Sequence, residues 1–217
     1  RLAAGYMAAG FVHGVLNSDN INVTGESFDY GPWRFAPHWD PDFTAAYFDH
    51  YGLYSFGRQP EAIHWDLAQL AGALTLVSDA PPLAEVLHGW SAVLEEALVA
   101  VMLARLGVAA GDPQADRILA ARLVAALQTR VAGIDRLFFD WRGGRDPGGE
   151  AYSGEAFRAL AEALQGRERT PSHDYWSDPA PCSMHIDEVE TIWAAIAEND
   201  DWSLFNAKIE AVRRLTA

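Results

Sequence analysis

Leu2, Tyr6 and the run from Ala9 to Val12 share one apolar face at helical spacing, and Gly14 follows. The pattern predicts a helix over residues 1–14 that delivers His13 to a loop. The period then shortens to two. "INVTGESFDY" alternates apolar and polar residues around Gly25, which predicts a hairpin over residues 21–30 with Ile21, Val23 and Phe28 facing inward. From Gly31 to Gln59 no period holds; Pro, Gly, Asp and aromatics dominate. This stretch reads as a long ordered loop pinned by Trp33, Phe35, Trp39, Phe43, Tyr47 and Phe48.

Helical patterns follow in succession. Pro60 opens "PEAIHWDLAQLAGAL", and Pro81 and Pro82 open a longer helix reaching about Leu106; both read as core helices. Further helices are expected from Pro113 to Val131 with Asp112 as N-cap, from Ser153 to Leu164 with Ser153 as N-cap, from His185 to Ala197, and from Trp202 to Leu215. "DWRGGRDPGGEAYSG" and "GRERTPSHDYWSDPAPCS" read as connectors, neither long enough to mark a domain boundary. The expectation is one mainly α domain over residues 1–217.

Composition narrows the possible partners. Half of the 217 residues are apolar, enough for a sizeable core, and the formal net charge of -14 disfavours a nucleic-acid backbone or an anionic membrane surface as partner. No window reads as an unbroken apolar membrane span, because Glu95, Glu96 and Arg105 interrupt the most apolar region. No membrane partner is expected. The single cysteine, Cys182, rules out an internal disulfide, and a reducing cytoplasm is the default expectation. The chain opens inside a regular apolar pattern with neither a Met nor a signal-peptide pattern, so it is expected to be the later portion of a longer protein.

The stretch from His13 to Gly31 carries the chemistry. A protein kinase holds the metal ions on ATP with H-R-D-x-x-x-x-N followed by D-F-G. Here Asn20 stands seven places after His13 and Asp29-Tyr30-Gly31 follows, but Val15 occupies the position of the usual catalytic Asp. Mg²⁺ and Mn²⁺ prefer carboxylate, amide, water and phosphate oxygens, and Asn20 and Asp29 offer such atoms. Asp19, beside the proposed ion, would remain ionised and could take a proton from an attacking hydroxyl or hold a water. Ser-Asp-Asn is also an ordinary turn sequence; it is the ordered recurrence of His13, Asn20 and Asp29 that raises it above one.

"HGVLNSDN", "FDYGPW", "DPDF" with "FDHYGLYSFGRQP", and "WDLAQLAGAL" resemble the selenoprotein O family, also called YdiU-like. The resemblance covers about the first 80 residues well and continues loosely through "IDRLFFDW". It implies a protein-kinase-like large lobe and a protein adenylyltransferase that moves AMP from ATP, held in a flipped orientation, to Ser, Thr or Tyr hydroxyls of proteins. On that mapping Asp19 is the catalytic base, and Asn20 and Asp29 hold Mg²⁺ or Mn²⁺. The nucleotide lysine and glycine-rich loop of the family belong to an upstream lobe. The sole lysine here is Lys208, and no G-x-G-x-x-G occurs, so this chain is expected to supply only the catalytic-loop and metal-binding half and to be inactive alone. Many members also carry a redox-active Cys or selenocysteine near the end, whereas this chain ends "EAVRRLTA".

Two other classes stay open. Val15 motivates a non-catalytic pseudokinase that binds nucleotide or a partner protein. His38, Asp40, Asp42, Asp49 and His50 could form the metal site of a phosphohydrolase, though their spacing gives no helical pair of ligands. His64, His88 and His185 read as surface or hydrogen-bonded residues, and Cys182 as an ordinary half-buried thiol.

Overall fold

A computed structural model describes residues 1–170 and 173–215. The chain is mainly helical, as the sequence predicts, with a very small sheet. Helix α1 (Leu2–Ala9) ends earlier than expected, because Gly10 adopts a left-handed conformation and caps it. The next residues are extended: β1 (Phe11–Val12) pairs antiparallel with β2 (Arg34–Phe35), Phe11 opposite Phe35 and Val12 opposite Arg34. The expected helix over 1–14 is therefore a helix, a glycine stop and a strand.

The expected hairpin is also revised. Residues 21–30 form a turn closed by one isolated bridge, Ile21 to Ser27, and the paired strands lie outside it. Val23 is 82% exposed and Phe28 43%, so only Ile21 of the three named residues meets the core. Alternation over so few residues carries little burial energy, and the turn's polar backbone competes with it. In the long loop, Trp39 is buried and Phe43 packs on the core, whereas Tyr47 is 90% exposed and Phe48 half exposed. Trp33 and Phe35 anchor instead through a ring cluster with Phe11.

After a 3₁₀ turn at Phe56–Arg58 come α2 (Gln59–Leu74), α3 (Ala80–His88), α4 (Trp90–Leu106), α5 (Pro113–Gln128), α6 (Ile134–Trp141) and α7 (Glu155–Leu164). Asp112 caps α5 as expected, accepting from the Ala115 amide at 2.9 Å. Gly154, not Ser153, is the N-cap of α7. Helix α6 falls within a segment for which the sequence pattern had predicted no element, and it places five apolar side chains in the interior. Leu103, Leu119, Leu123, Leu137, Phe157 and Leu160 fill the main core between α4, α5, α6 and α7. Each such side chain contributes about 1.5–3 kcal/mol by leaving water. Arg105 ties this core to α1: it donates to the Ala8 carbonyl and to Asp135, and lies 4.3 Å over the Phe138 ring.

The predicted long helix from Pro81 is two, broken at Gly89, and its first half is not a core helix. Helix α3 buries no residue, and α4 buries only Met102, Leu103 and Leu106 at its end. Read together, Ala80–Leu106 is long and apolar enough to cross a membrane by length and composition, which corrects the expectation that no segment qualifies. Most of that surface is exposed. Helices α8 (Ile186–Asn199) and α9 (Ser203–Arg213) pack on each other, joined by a Lys208–Glu188 ion pair, and bury no residue. Pro171 and Ser172 of the second connector lie outside the described residues.

A second, smaller core lies apart from the main one. Ala3 and Tyr6 of α1, Leu16 of the following loop and Ile63 of α2 pack together beneath the turn that carries Asp19 and Asn20.

Candidate active site

His13 is wholly buried and acts as a latch. Its Nε2 donates to the Phe28 carbonyl at 2.9 Å, and its Nδ1 accepts weakly from the Val15 amide at 3.4 Å. That pattern fixes the neutral ring with its proton on Nε2. Burial pushes the His13 pKa below its usual value, partly opposed by the Phe28 carbonyl and by Asp29. The backbone amide of His13 donates to Gln59 Oε1 at 3.0 Å, and Gln59 Nε2 donates to the Phe11 carbonyl at 2.8 Å. One glutamine thus bolts the start of α2 to the strand that enters the site.

Gly14 follows with φ of 86°. A Cβ there would sit 2.8 Å from Pro32 Cγ and 3.2 Å from Ala45 Cβ, so neither the conformation nor the space accepts a side chain. The chain then turns through Ser18–Asn20, a single 3₁₀ turn, which leaves Asp19 exposed and Asn20 buried. The Asn20 carbonyl accepts from the Phe28 amide at 3.0 Å, setting the two ends of the 21–27 turn together.

Asn20 and Asp29, nine positions apart, meet there. Asn20 Nδ2 donates to Asp29 Oδ2 at 3.4 Å, while Asn20 Oδ1 is buried and has no hydrogen-bond partner among the described residues. Asp29 holds a left-handed backbone, φ 62°, uncommon for any residue but glycine. A buried amide oxygen without a donor costs about 1–3 kcal/mol. A divalent cation beside the Asp29 carboxylate would satisfy it with the hard oxygen donors that Mg²⁺ and Mn²⁺ prefer. Asn20 and Asp29 therefore fit such an ion, with water and phosphate oxygens completing its shell. No group of three or more His, Cys, Asp or Glu residues placed to hold a metal occurs among the described residues.

The other sequence candidates are engaged elsewhere. Asp40 pairs with Arg130 at 2.7 Å and accepts from the Asp42 amide; both oxygens of Asp49 accept from the amides of Leu53 and Tyr54. They shape the long loop and do not converge with His38 and His50 on a metal site among the described residues. His64 stacks on Trp90, His88 is exposed, and His185 lies 3.7 Å from Asp135. Cys182 is half-buried; burial raises its thiol pKa, and Lys208 opposes the rise from 3.9 Å.

Two residues escaped the sequence reading. Gln59, Ile63 and Asp66 form one buried stripe on α2 at spacings of four and three. Two polar groups on a stripe expected to be apolar were the available signal. Asp66 is 7% exposed, and both carboxylate oxygens lack a hydrogen-bond partner among the described residues. Its pKa is raised to about 6, first by burial and then by the negative charge of Asp19.

A family model described as "Protein adenylyltransferase SelO" matches residues 1–176. Similar curated proteins carry the name "Protein nucleotidyltransferase YdiU". That of Gloeobacter violaceus is 36% identical over 99% of this chain and 48% of its own length, and that of Synechocystis sp. is 31% identical over 98% and 50%. That of Synechococcus elongatus is 47% identical over 49% of this chain and 22% of its own length. The chain spans about half the length of the curated relatives it matches along its whole extent.

Proposed function

Because the chain belongs to the SelO family of protein adenylyltransferases, we propose that it forms the catalytic-loop and metal-binding half of an enzyme transferring AMP from ATP to Ser, Thr or Tyr hydroxyls of proteins. The observation that carries this reading is the buried Asn20 Oδ1, without a hydrogen-bond partner among the described residues, on the side chain whose Nδ2 donates to the Asp29 carboxylate, with Asp19 next in the chain. In this reading the mainly helical chain is the large lobe of a kinase-like fold. The nucleotide-binding lysine and glycine-rich loop come from the remainder of a protein about twice as long, as its relatives are.

Asn20 and Asp29 would hold Mg²⁺ or Mn²⁺, which when bound neutralises charge on the phosphates. Asp19 accepts the proton of the acceptor hydroxyl. The hydroxyl oxygen forms a bond to the α-phosphorus, the bond from that phosphorus to the bridging oxygen breaks, and pyrophosphate leaves. Val15 cannot serve as base, and Asp19 is the one acidic side chain between His13 and Asn20. His13 and Gln59 do no chemistry; they hold the loop so that Asn20 and Asp29 stay within reach of each other.

The test is incubation of the full-length protein with ATP labelled at the α- or the γ-phosphate. AMP transfer retains the α label on protein. Retention of the γ label alone would mean phosphoryl transfer. Release of labelled products without protein labelling would mean hydrolysis, and nucleotide binding with no turnover would favour the pseudokinase that Val15 suggests. Each of the last three results overturns the proposal.

A further inference from the structure

A cavity of about 520 Å³ opens between α1, the 21–25 turn, α2 and the start of α4. Leu2, Ile21, Ile63, Leu67, Leu70 and Trp90 make its walls largely apolar. Asp66 lines it too, nine-tenths buried, with neither oxygen satisfied by hydrogen bond or ion pair among the described residues. Ser18, the neighbour of Asp19, stands at its edge. The cavity therefore runs from an orphan carboxylate to the turn that carries the proposed base.

We propose that this groove binds the acceptor polypeptide through an arginine or lysine lying a few residues from the modified hydroxyl, with Asp66 as the partner of that cation. The inference rests on the adenylyltransferase reading for what happens at Asp19, but not for the groove itself. Four observations select this occupant. A buried carboxylate without a partner is costly, and a charge-assisted bond from a guanidinium or ammonium group removes that cost. The apolar walls suit the aliphatic stem of a long basic side chain, and the Trp90 indole adds a face that attracts cations. A free metal ion is a poor match, since no second carboxylate and no histidine lines the cavity with Asp66. The chain's net charge of -14 draws basic segments toward it and repels acidic ones. Arg1 also lines the cavity, yet no bond joins it to Asp66. The raised pKa of Asp66 agrees with a carboxylate awaiting its partner.

The experiment measures binding, so it does not depend on catalysis. Fluorescent peptides with one serine and one arginine, and identical peptides with norleucine or citrulline replacing the arginine, are titrated into the full-length protein without ATP and followed by anisotropy. The arginine peptide is expected to bind at least about 10-fold more tightly than either uncharged one, as a charge-assisted pair in a dehydrated groove should. Asp66→Asn is expected to erase that preference. Gln69→Lys changes an exposed helical position on the groove wall, cannot disturb the core, and is expected to weaken only the arginine peptide. Equal affinity for charged and uncharged peptides, or an arginine preference that survives both substitutions, overturns the proposal. An arginine preference abolished by the substitutions in a protein that retains no α label would leave the groove standing and reject the adenylyltransferase reading alone.

Discussion

Asn20 Nδ2 lies 3.4 Å from Asp29 Oδ2, and the side-chain oxygen of Asn20, Oδ1, is buried and meets no donor among the described residues. A divalent cation would supply the positive charge that the stranded oxygen lacks. Around this pair the remaining features arrange themselves: His13 and Gln59 fix the backbone on either side, and Asp19 stands exposed next door.

Asp29→Ala and Asp19→Ala in the full-length protein are expected to fail differently. Loss of a metal ligand removes charge stabilisation on the phosphates, commonly several kcal/mol, so Asp29→Ala should leave AMP transfer undetectable even with added Mn²⁺. Asp19→Ala should slow transfer by about 10²- to 10⁴-fold, the range for loss of a general base, with nucleotide affinity kept. Single-turnover transfer and Mn²⁺-dependent nucleotide binding distinguish them. Equal loss of metal binding in both would make Asp19 a ligand.

His13→Gln should destabilise the chain by about 2–4 kcal/mol, because it removes a buried ring and leaves the Phe28 carbonyl short of its donor. The folded state holds His13 below its ordinary pKa, so its contribution is fully present above about pH 6.5 and is lost as pH falls toward the lowered value. The melting-temperature gap between parent and variant should therefore narrow from pH 7.5 to pH 5. A gap that is constant with pH would show that His13 titrates normally.

Asp66→Asn should stabilise the protein at neutral pH. The folded-state pKa of about 6 lies above the ordinary carboxylate value, so the folded chain binds the extra proton between the two and loses stability as pH rises through that window. The penalty is complete above about pH 6. With water in the adjoining cavity softening it, the gain for the variant at pH 7.5 should be about 1–2 kcal/mol, vanishing near pH 4. Denaturant unfolding at the two pH values decides it; a variant less stable than its parent at pH 7.5 would mean that Asp66 has a structural partner.

Gly14→Ala and Gly25→Ala make a matched pair. Both glycines have φ near 85°, but a Cβ at Gly14 meets Pro32 and Ala45, while at Gly25 it meets nothing within 4 Å. Backbone strain alone costs about 1 kcal/mol, and the collision at Gly14 should add about 1–3 kcal/mol more. Chemical denaturation of each variant reads the difference. Similar losses would mean that Pro32 moves aside freely.

Elements with long, regular apolar stripes were legible in the sequence. Helices α2 and α5 fall close to where Pro60, Asp112 and Pro113 put them, because proline and a capping carboxylate act on their own few residues wherever the rest of the chain lies. The candidate residues Asp19, Asn20 and Asp29 were likewise visible as an ordered set of oxygen donors. Their geometry was not. Alternation around Gly25 suggested a ladder, and only packing decided that the paired strands would be Phe11–Val12 and Arg34–Phe35, joined across more than twenty residues. Helix α3 reads like a core helix, since an apolar stripe records what a surface can bury and not whether a neighbour arrives to cover it. The orphan oxygens of Asn20 and Asp66 belong wholly to the tertiary structure. Whether a polar atom finds a donor depends on distant segments converging on it, which the order of residues along the chain does not express.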